Sequence, residues 1–166
     1  MTIALIHSNS YVSGMYIIRT QDCPKRDLEK RWSLPDRVFF ACGACQVLAH
    51  VFLENITPVD AQAVWIKPSE GQTGNHIFVS FGDMVFDYHG YTEKKRFLAH
   101  YWKKARQVYP AWDADLVEIT PDTLTTAGPS VVYDGLWLRA PHQFFKTPVP
   151  RANAYLEKFP QHGVTV

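Results

Sequence analysis

Three residues whose side chains together perform nucleophilic catalysis occur in order along the chain: Cys45, His76 and Asp87. A cysteine thiolate attacks carbonyl carbon, a histidine takes the thiol proton, and a carboxylate orients the imidazole. Cys45 lies where an apolar helix is predicted to begin, and there the unpaired N–H groups and the helix dipole favour a thiolate and an oxyanion. The spacing predicts a Cys-His-Asp triad that needs no metal ion or other cofactor.

The elements that position these residues follow from apolar periodicity and turn signals. Residues 43–55 are predicted to be a helix, because Val47, Leu48, Val51 and Phe52 recur at helical spacing. Its few polar positions are typical of a helix that the rest of the domain surrounds. Short strands are predicted downstream at 63–67, 76–81 and 84–88.

The pair Gly82-Asp83 separates the last two of these strands and suits a tight hairpin turn. Such a turn sets three facing pairs: Phe81 with Met84, Val79 with Phe86, and Phe78 with Asp87. His76 then lies on the same face of the sheet as Asp87 and diagonal to it. We expect the Cys45 helix to pack on this sheet, with His76 facing the helix and a ring nitrogen near the sulfur.

Other segments complete an α+β domain that spans residues 1–166. The predicted elements are a strand at 15–20, a helix capped by Thr92 that ends before Pro110, strands at 115–120 and 130–138, and a helix at 151–159. No repeat, low-complexity tract or linker divides the chain. One hydrophobic core is therefore expected.

The motif C-G-A-C at 42–45, followed by an apolar helix, resembles the nucleophile segment of papain-type proteases, whose second cysteine is catalytic. Segments 74–79 and 85–90 resemble the His strand and the Asp strand of transglutaminase-like and arylamine acetyltransferase-like enzymes. The resemblance covers residues 38–91. It implies a papain-like or transglutaminase-like core and a reaction at an amide, peptide or ester carbonyl, with Cys45, His76 and Asp87 in the catalytic roles.

Two departures from that pattern limit what the resemblance implies. Papain-type enzymes carry an oxyanion-hole glutamine six residues before the nucleophile, where this chain has Phe39, so the second oxyanion donor is not identified. His76 also follows Cys45 more closely than in papain itself, which implies a compact relative. Water as the final acceptor would make the enzyme a hydrolase, thiol protease, amidase or deamidase, whereas an amine would make it an acyltransferase or transglutaminase.

Composition narrows the classes of partner. Lys and Arg number 17 against 16 Asp and Glu, so no global basic field favours nucleic acid or an anionic membrane. No stretch reaches the length of a membrane span, and the N-terminus lacks the pattern of a secretory signal peptide. The expected partners are a protein, peptide or small acyl substrate. The expected location is the cytoplasm, or outside the cell after export without such a signal, as for an effector or toxin.

Three alternatives remain open. Strand, C-x-x-C and helix is also the thioredoxin arrangement, which would make Cys42 and Cys45 the redox pair of a thiol-disulfide oxidoreductase. Cys42, Cys45 and His50 could contribute to a zinc site, although a closed site needs a fourth ligand. The chain could also be an interaction domain without enzymatic activity. The oligomeric state is not predicted.

Overall fold

The computed structural model describes residues 26–160, so the strand predicted at 15–20 and Cys23 lie outside the described residues. The helices, in chain order, are α1 (Leu28–Trp32), α2 (Asp36–Ala41), α3 (Cys45–Asn55), α4 (Lys94–Val108) and α5 (Val149–Leu156). The strands are β1 (Gln62–Pro68), β2 (His76–Phe81), β3 (Met84–Asp87), β4 (Gly90–Glu93), β5 (Ala114–Ile119), β6 (Gly128–Pro129) and β7 (Trp137–Leu138). Short 3-10 helices cover Pro121–Thr125 and Pro141–Gln143.

Within residues 26–160, five strands form one sheet in the order β4-β3-β2-β1-β5, and all neighbouring strands are antiparallel. The turn Gly82-Asp83 joins β2 to β3, and Gly82 adopts a φ of 52° that suits glycine. Val79 pairs with Phe86 and Phe81 with Met84, as the hairpin predicts. The predicted α+β class with an antiparallel sheet is therefore confirmed.

Apolar residues cover both faces of this sheet. On one face α3 contributes Phe52 to a large apolar cluster, and strands of the sheet contribute Ile77, Val79 and Phe86 to the same cluster. On the other face α4 packs against a smaller cluster that includes Phe78. Alternate residues of β2 thus serve two cores, which explains why every residue of this strand is buried.

The Thr92 cap and the strand at 130–138 were wrong predictions. Thr92 pairs with Val85 inside β4, and α4 begins two residues later without a side-chain cap. Within 130–138 the hydroxyl of Ser130 accepts hydrogen bonds from the N–H groups of Val132 and Tyr133, which turns the chain. Only Trp137–Leu138 of this segment is a strand, and it pairs with Gly128–Pro129.

Arg151 of α5 ties the end of the described chain to its beginning. Its guanidinium donates to the carbonyl oxygens of Trp32 at 2.7 Å and Leu34 at 2.6 Å, and to the Asp36 carboxylate at 2.8 Å. It also lies 4.2 Å from the centroid of the Phe39 ring. These contacts hold the segment that leads into α3, so they help to fix where that helix begins.

None of the helices within residues 26–160 has the length and apolar character needed to cross a bilayer.

Gly90 provides a test of packing near the end of β3. Its φ is +94°, and the Phe159 ring occupies the space that a Cβ would need. Gly71 also has a positive φ, of +77°, but open space around it. Both Gly→Ala changes incur the cost of a left-handed residue, about 1–2 kcal/mol, while Gly90→Ala adds overpacking of about 1–3 kcal/mol. Urea unfolding should show the larger loss for Gly90→Ala, and equal losses would contradict the described contact.

Candidate active site

Cys45, His76 and Asp87 line one narrow crevice where several elements end. Cys45 is the first residue of α3, His76 is the first residue of β2, and Asp87 is the last residue of β3. The structure thus brings the three sequence-predicted residues together. Most other residues that line the crevice are apolar or aromatic: Phe40, Leu48, Ala49, Ile77, Phe86 and Tyr88.

The contact between His76 and Asp87 is a buried hydrogen bond. Nε2 of His76 lies 3.0 Å from Oδ2 of Asp87, and each side chain is only 1% exposed. A carboxylate can only accept hydrogen bonds, so Nε2 carries a hydrogen. The other ring nitrogen, Nδ1, is therefore the one that can receive a proton from the Cys45 thiol.

Neighbouring groups stabilise the positive charge of His76 and the negative charge of Asp87. Burial opposes the charged form of His76, but hydrogen bonds to Asp87 and Cys45 and their negative charges raise the pKa of His76 to about 9. Burial also opposes the charge of Asp87, yet hydrogen bonds from His76 and His89 and their positive charges hold the pKa of that carboxyl well below its usual range. The site therefore favours an imidazolium beside a carboxylate.

The contact between Cys45 and His76 is close but not aligned. The Cys45 sulfur is near enough to raise the pKa of His76, whereas Nδ1 of His76 makes no hydrogen bond of standard geometry within residues 26–160. A proton is shared only when the donor points at its acceptor. In enzymes such hydrogen bonds are often long before substrate binds, so this geometry is compatible with proton transfer between the two groups.

The prediction that His76 faces the Cys45 helix is wrong, because its ring lies against α4. The His76 ring stacks on Tyr101 of α4, with centroids 5.8 Å apart, and it also contacts Phe97 of the same helix. It therefore belongs to the α4 face of the sheet, while α3 covers the opposite face. Cys45 meets His76 at the end of the sheet, because both residues are the first of their elements.

Three aromatic side chains hold the loop that leads into His76. Tyr101 donates its hydroxyl hydrogen to the Gly74 carbonyl at 2.6 Å, and Trp112 donates its indole N–H to the Thr73 carbonyl at 2.7 Å. Trp65 donates to the side-chain oxygen of Asn75 at 2.9 Å. These hydrogen bonds fix the backbone immediately before the His76 imidazole, which limits how far that ring can move.

His89 is a member of the site that the sequence analysis missed. Its backbone N–H donates to Oδ1 of Asp87 at 2.9 Å, and its Nδ1 lies 3.0 Å from the same oxygen. Asp87 thus has a histidine on each side. The spacing Asp87-x-His89 is the signal that could have found it, since a short turn lets an Asp side chain contact the residue two positions later.

The first turn of α3 offers two hydrogen-bond donors to a reacting group. Val47 and Leu48 both donate their N–H groups to the Ala44 carbonyl, at 3.1 and 3.2 Å. The N–H groups of Cys45 and Gln46 meet no acceptor within residues 26–160. Ala44, at the N-cap position, has no side-chain oxygen that could cap them. They are available to an oxyanion that forms next to the sulfur.

Phe39 and Gln46 explain the departure from the papain-type oxyanion hole. Phe39 is 1% exposed and belongs to the core, so it supplies no donor. Gln46 is 2% exposed, and its Nε2 donates to the carbonyls of Gly43 at 3.4 Å and Arg139 at 3.0 Å. Because those two hydrogen bonds occupy its amide hydrogens, the Gln46 side chain has no N–H left for an oxyanion.

The structure does not support the thiol-disulfide oxidoreductase alternative or the zinc-site alternative. The segment before Cys42 is a helix, Asp36–Ala41, and not the strand that the thioredoxin arrangement requires. Among the described residues, no group of three or more His, Cys, Asp or Glu side chains is placed to hold a metal ion, so Cys42, Cys45 and His50 do not assemble as a zinc site.

The raised pKa of His76 predicts how stability depends on pH. Between about pH 6.5 and 9 the folded protein keeps a proton on His76 that the unfolded chain has released. Unfolding then releases the His76 proton, which by itself makes a rise in pH favour unfolding by about 1 kcal/mol per pH unit. A thiolate held on the cysteine beside it takes up a proton on unfolding and reduces this slope below about pH 8.5. The contribution is complete below pH 6.5 and is lost as the pH rises through 9.

Urea unfolding at several pH values measures this slope. His76→Gln should flatten it between pH 6.5 and 9, whereas His142→Gln, which removes an exposed histidine, should leave the parent's slope. A slope that survives in His76→Gln would show that another group titrates.

Comparison with known proteins does not assign a family. No protein-family model matches the chain, and neither a curated protein nor a solved structure shows significant similarity to it. The likeness to papain-type and transglutaminase-like enzymes therefore depends on the motifs around Cys45, His76 and Asp87. The function has to be argued from the chemistry that those three side chains can perform.

Proposed function

We propose that the protein is a cysteine-dependent hydrolase or acyltransferase that acts on an amide, peptide or ester carbonyl. One observation carries the proposal: Cys45, at the first turn of a buried helix, shares a crevice with the buried His76–Asp87 pair. A structural cysteine needs neither a base nor a carboxylate behind that base. The combination is the one that nucleophilic catalysis requires.

In the first half-reaction, Nδ1 of His76 takes the proton of the Cys45 thiol. The sulfur attacks the carbonyl carbon, and the carbonyl oxygen becomes an oxyanion that accepts hydrogen bonds from the N–H groups of Cys45 and Gln46. The tetrahedral intermediate then collapses to a thioester. The C–N or C–O bond breaks, and the leaving group takes the proton from His76.

In the second half-reaction, an acceptor attacks the thioester. His76 removes a proton from the acceptor and returns it to sulfur as the acyl group leaves Cys45. Water gives a free acid, and an amine gives a transferred acyl group. Throughout both halves, Asp87 keeps the hydrogen on Nε2 and stabilises the imidazolium.

The architecture supports a papain-like or transglutaminase-like core as part of this proposal. A helix that begins with the nucleophile precedes an antiparallel sheet, and successive strands of this sheet carry the histidine and the aspartate. The order Cys, His, Asp is the one that the motifs imply. The substrate is proposed to be a protein, a peptide or a small acyl donor.

Selective alkylation tests whether Cys45 is activated. Cys42 is a matched control, since both cysteines are half-buried. Iodoacetamide near neutral pH should label Cys45 at least about tenfold faster than Cys42, because the helix terminus and His76 favour its thiolate. His76→Ala should slow the labelling of Cys45, and Asp87→Ala should slow it less, since Asp87 acts through the imidazole. Peptide mass spectrometry measures each rate.

Two outcomes would contradict the assignment. Equal reactivity of Cys42 and Cys45 would indicate that exposure alone sets the rate. Unchanged labelling of Cys45 in His76→Ala would show that the imidazole does not act on the sulfur. In either case Cys45 would be better explained as a core residue.

An activated ester tests acyl transfer itself. With p-nitrophenyl acetate, the parent should release a burst of nitrophenol and carry an acetyl group on Cys45, while Cys45→Ala should show neither and Cys42→Ser should retain both. Added amines then distinguish an acyltransferase from a hydrolase by the product formed. Loss of the burst in both cysteine variants, together with disulfide reductase activity in the parent, would favour the redox alternative.

A further inference from the structure

A buried nitrogen of Arg139 has no acceptor within the part of the chain that the structure describes. Its Nη1 atom is shielded from solvent and makes no hydrogen bond with residues 26–160. The guanidinium lies 5.7 Å from the centroid of the Phe144 ring, which supports its carbon atoms but accepts no conventional hydrogen bond. A buried N–H group without an acceptor is costly, and in a native protein it calls for a partner.

A second guanidinium lies at the turn before the nucleophile. Nη2 of Arg31 donates to the Cys42 carbonyl. Gly43 permits this approach in two ways, because its φ is +93° and because a Cβ at that position would collide with Arg31. The glycine of the C-G-A-C motif is therefore the residue that lets a positive charge lie against the turn.

Arg31 and Arg139 both contact the segment around the start of α3, Arg31 through its guanidinium and Arg139 through its backbone carbonyl. The Arg139 carbonyl accepts a hydrogen bond from the side chain of Gln46, the residue after Cys45, and the Gln46 side-chain oxygen lies 3.8 Å from the Cys45 sulfur. Burial and then the charge of Arg31 lower the pKa of Arg139. Two like charges repel one another, and an anion bound between them relieves that repulsion.

We propose that Arg31 and Arg139 bind an oxyanionic group of the substrate, a carboxylate or a phosphate, beside Cys45. The proposal rests on the proposed function and makes it narrower, since it assigns the enzyme an acyl donor with a negative charge near the reacting carbonyl. The planar fork of an arginine fits two oxygens of one such group, and the unsatisfied Nη1 of Arg139 supplies one donor.

Two alkylating reagents of similar size test the charge preference. Iodoacetate carries a carboxylate and iodoacetamide does not, so the ratio of their rates at Cys45 measures how well the site accepts an anion. Any effect of a substitution on the thiolate itself cancels in this ratio. The parent's ratio should exceed that of 2-mercaptoethanol, a neutral free thiol, and Arg139→Gln should lower it about tenfold.

Two further variants separate a binding fork from general charge. Arg139→Lys keeps the charge without the fork and should give an intermediate ratio. Arg96→Gln removes an exposed charge from α4 and should keep the parent's ratio. Equal ratios in the parent and Arg139→Gln, with His76-dependent labelling by iodoacetamide retained, would overturn the anion site alone. Failure of iodoacetamide to label Cys45 in the folded parent would instead overturn the proposed function.

Protection experiments identify the kind of anion. Succinate should slow labelling of the parent by iodoacetate if the site prefers carboxylates, and inorganic phosphate should do so if it prefers phosphate. Either form of protection should be weaker in Arg139→Gln. A lack of protection by both anions at concentrations up to tens of millimolar, at constant ionic strength, would overturn the proposal.

Discussion

The carboxylate of Asp87 lies almost entirely out of water, and its neighbours have to offset the free energy of keeping a charge there. His76 and His89 do so from opposite sides, with hydrogen bonds of 3.0 Å each. That requirement constrains the surrounding structure. The hairpin must bring His76 opposite the end of β3, and the chain must turn at once so that His89 can reach back.

The two faces of the sheet supply different parts of the site. The helix α3 brings the sulfur from one face, while α4 holds the imidazole on the other through Tyr101. Tyr101 also binds the Gly74 carbonyl, so one side chain supports both the ring and the loop before it. A site assembled around the end of a sheet in this way depends on the packing of both cores.

The sequence predicts those parts of the fold and of the site that depend on interactions between residues close together in the chain. The two-residue turn Gly82-Asp83 determines the hairpin register, and apolar spacing identifies α3. Side-chain hydrogen bonds that redirect the backbone, as at Ser130, compete with strand propensity and are hard to foresee. The contacts of Arg31 and Arg139 join distant segments of the chain, which no local pattern contains.

The strand β5 forms one edge of the sheet within residues 26–160, and its outer side pairs with no other strand of that range. An unpaired edge can recruit a strand from another molecule and start aggregation. Asp115 and Glu118 are exposed along this edge, and Leu116 is 46% exposed between them. Two copies that approached edge to edge would bring carboxylates together, so the acidic residues protect a partly apolar edge against self-association.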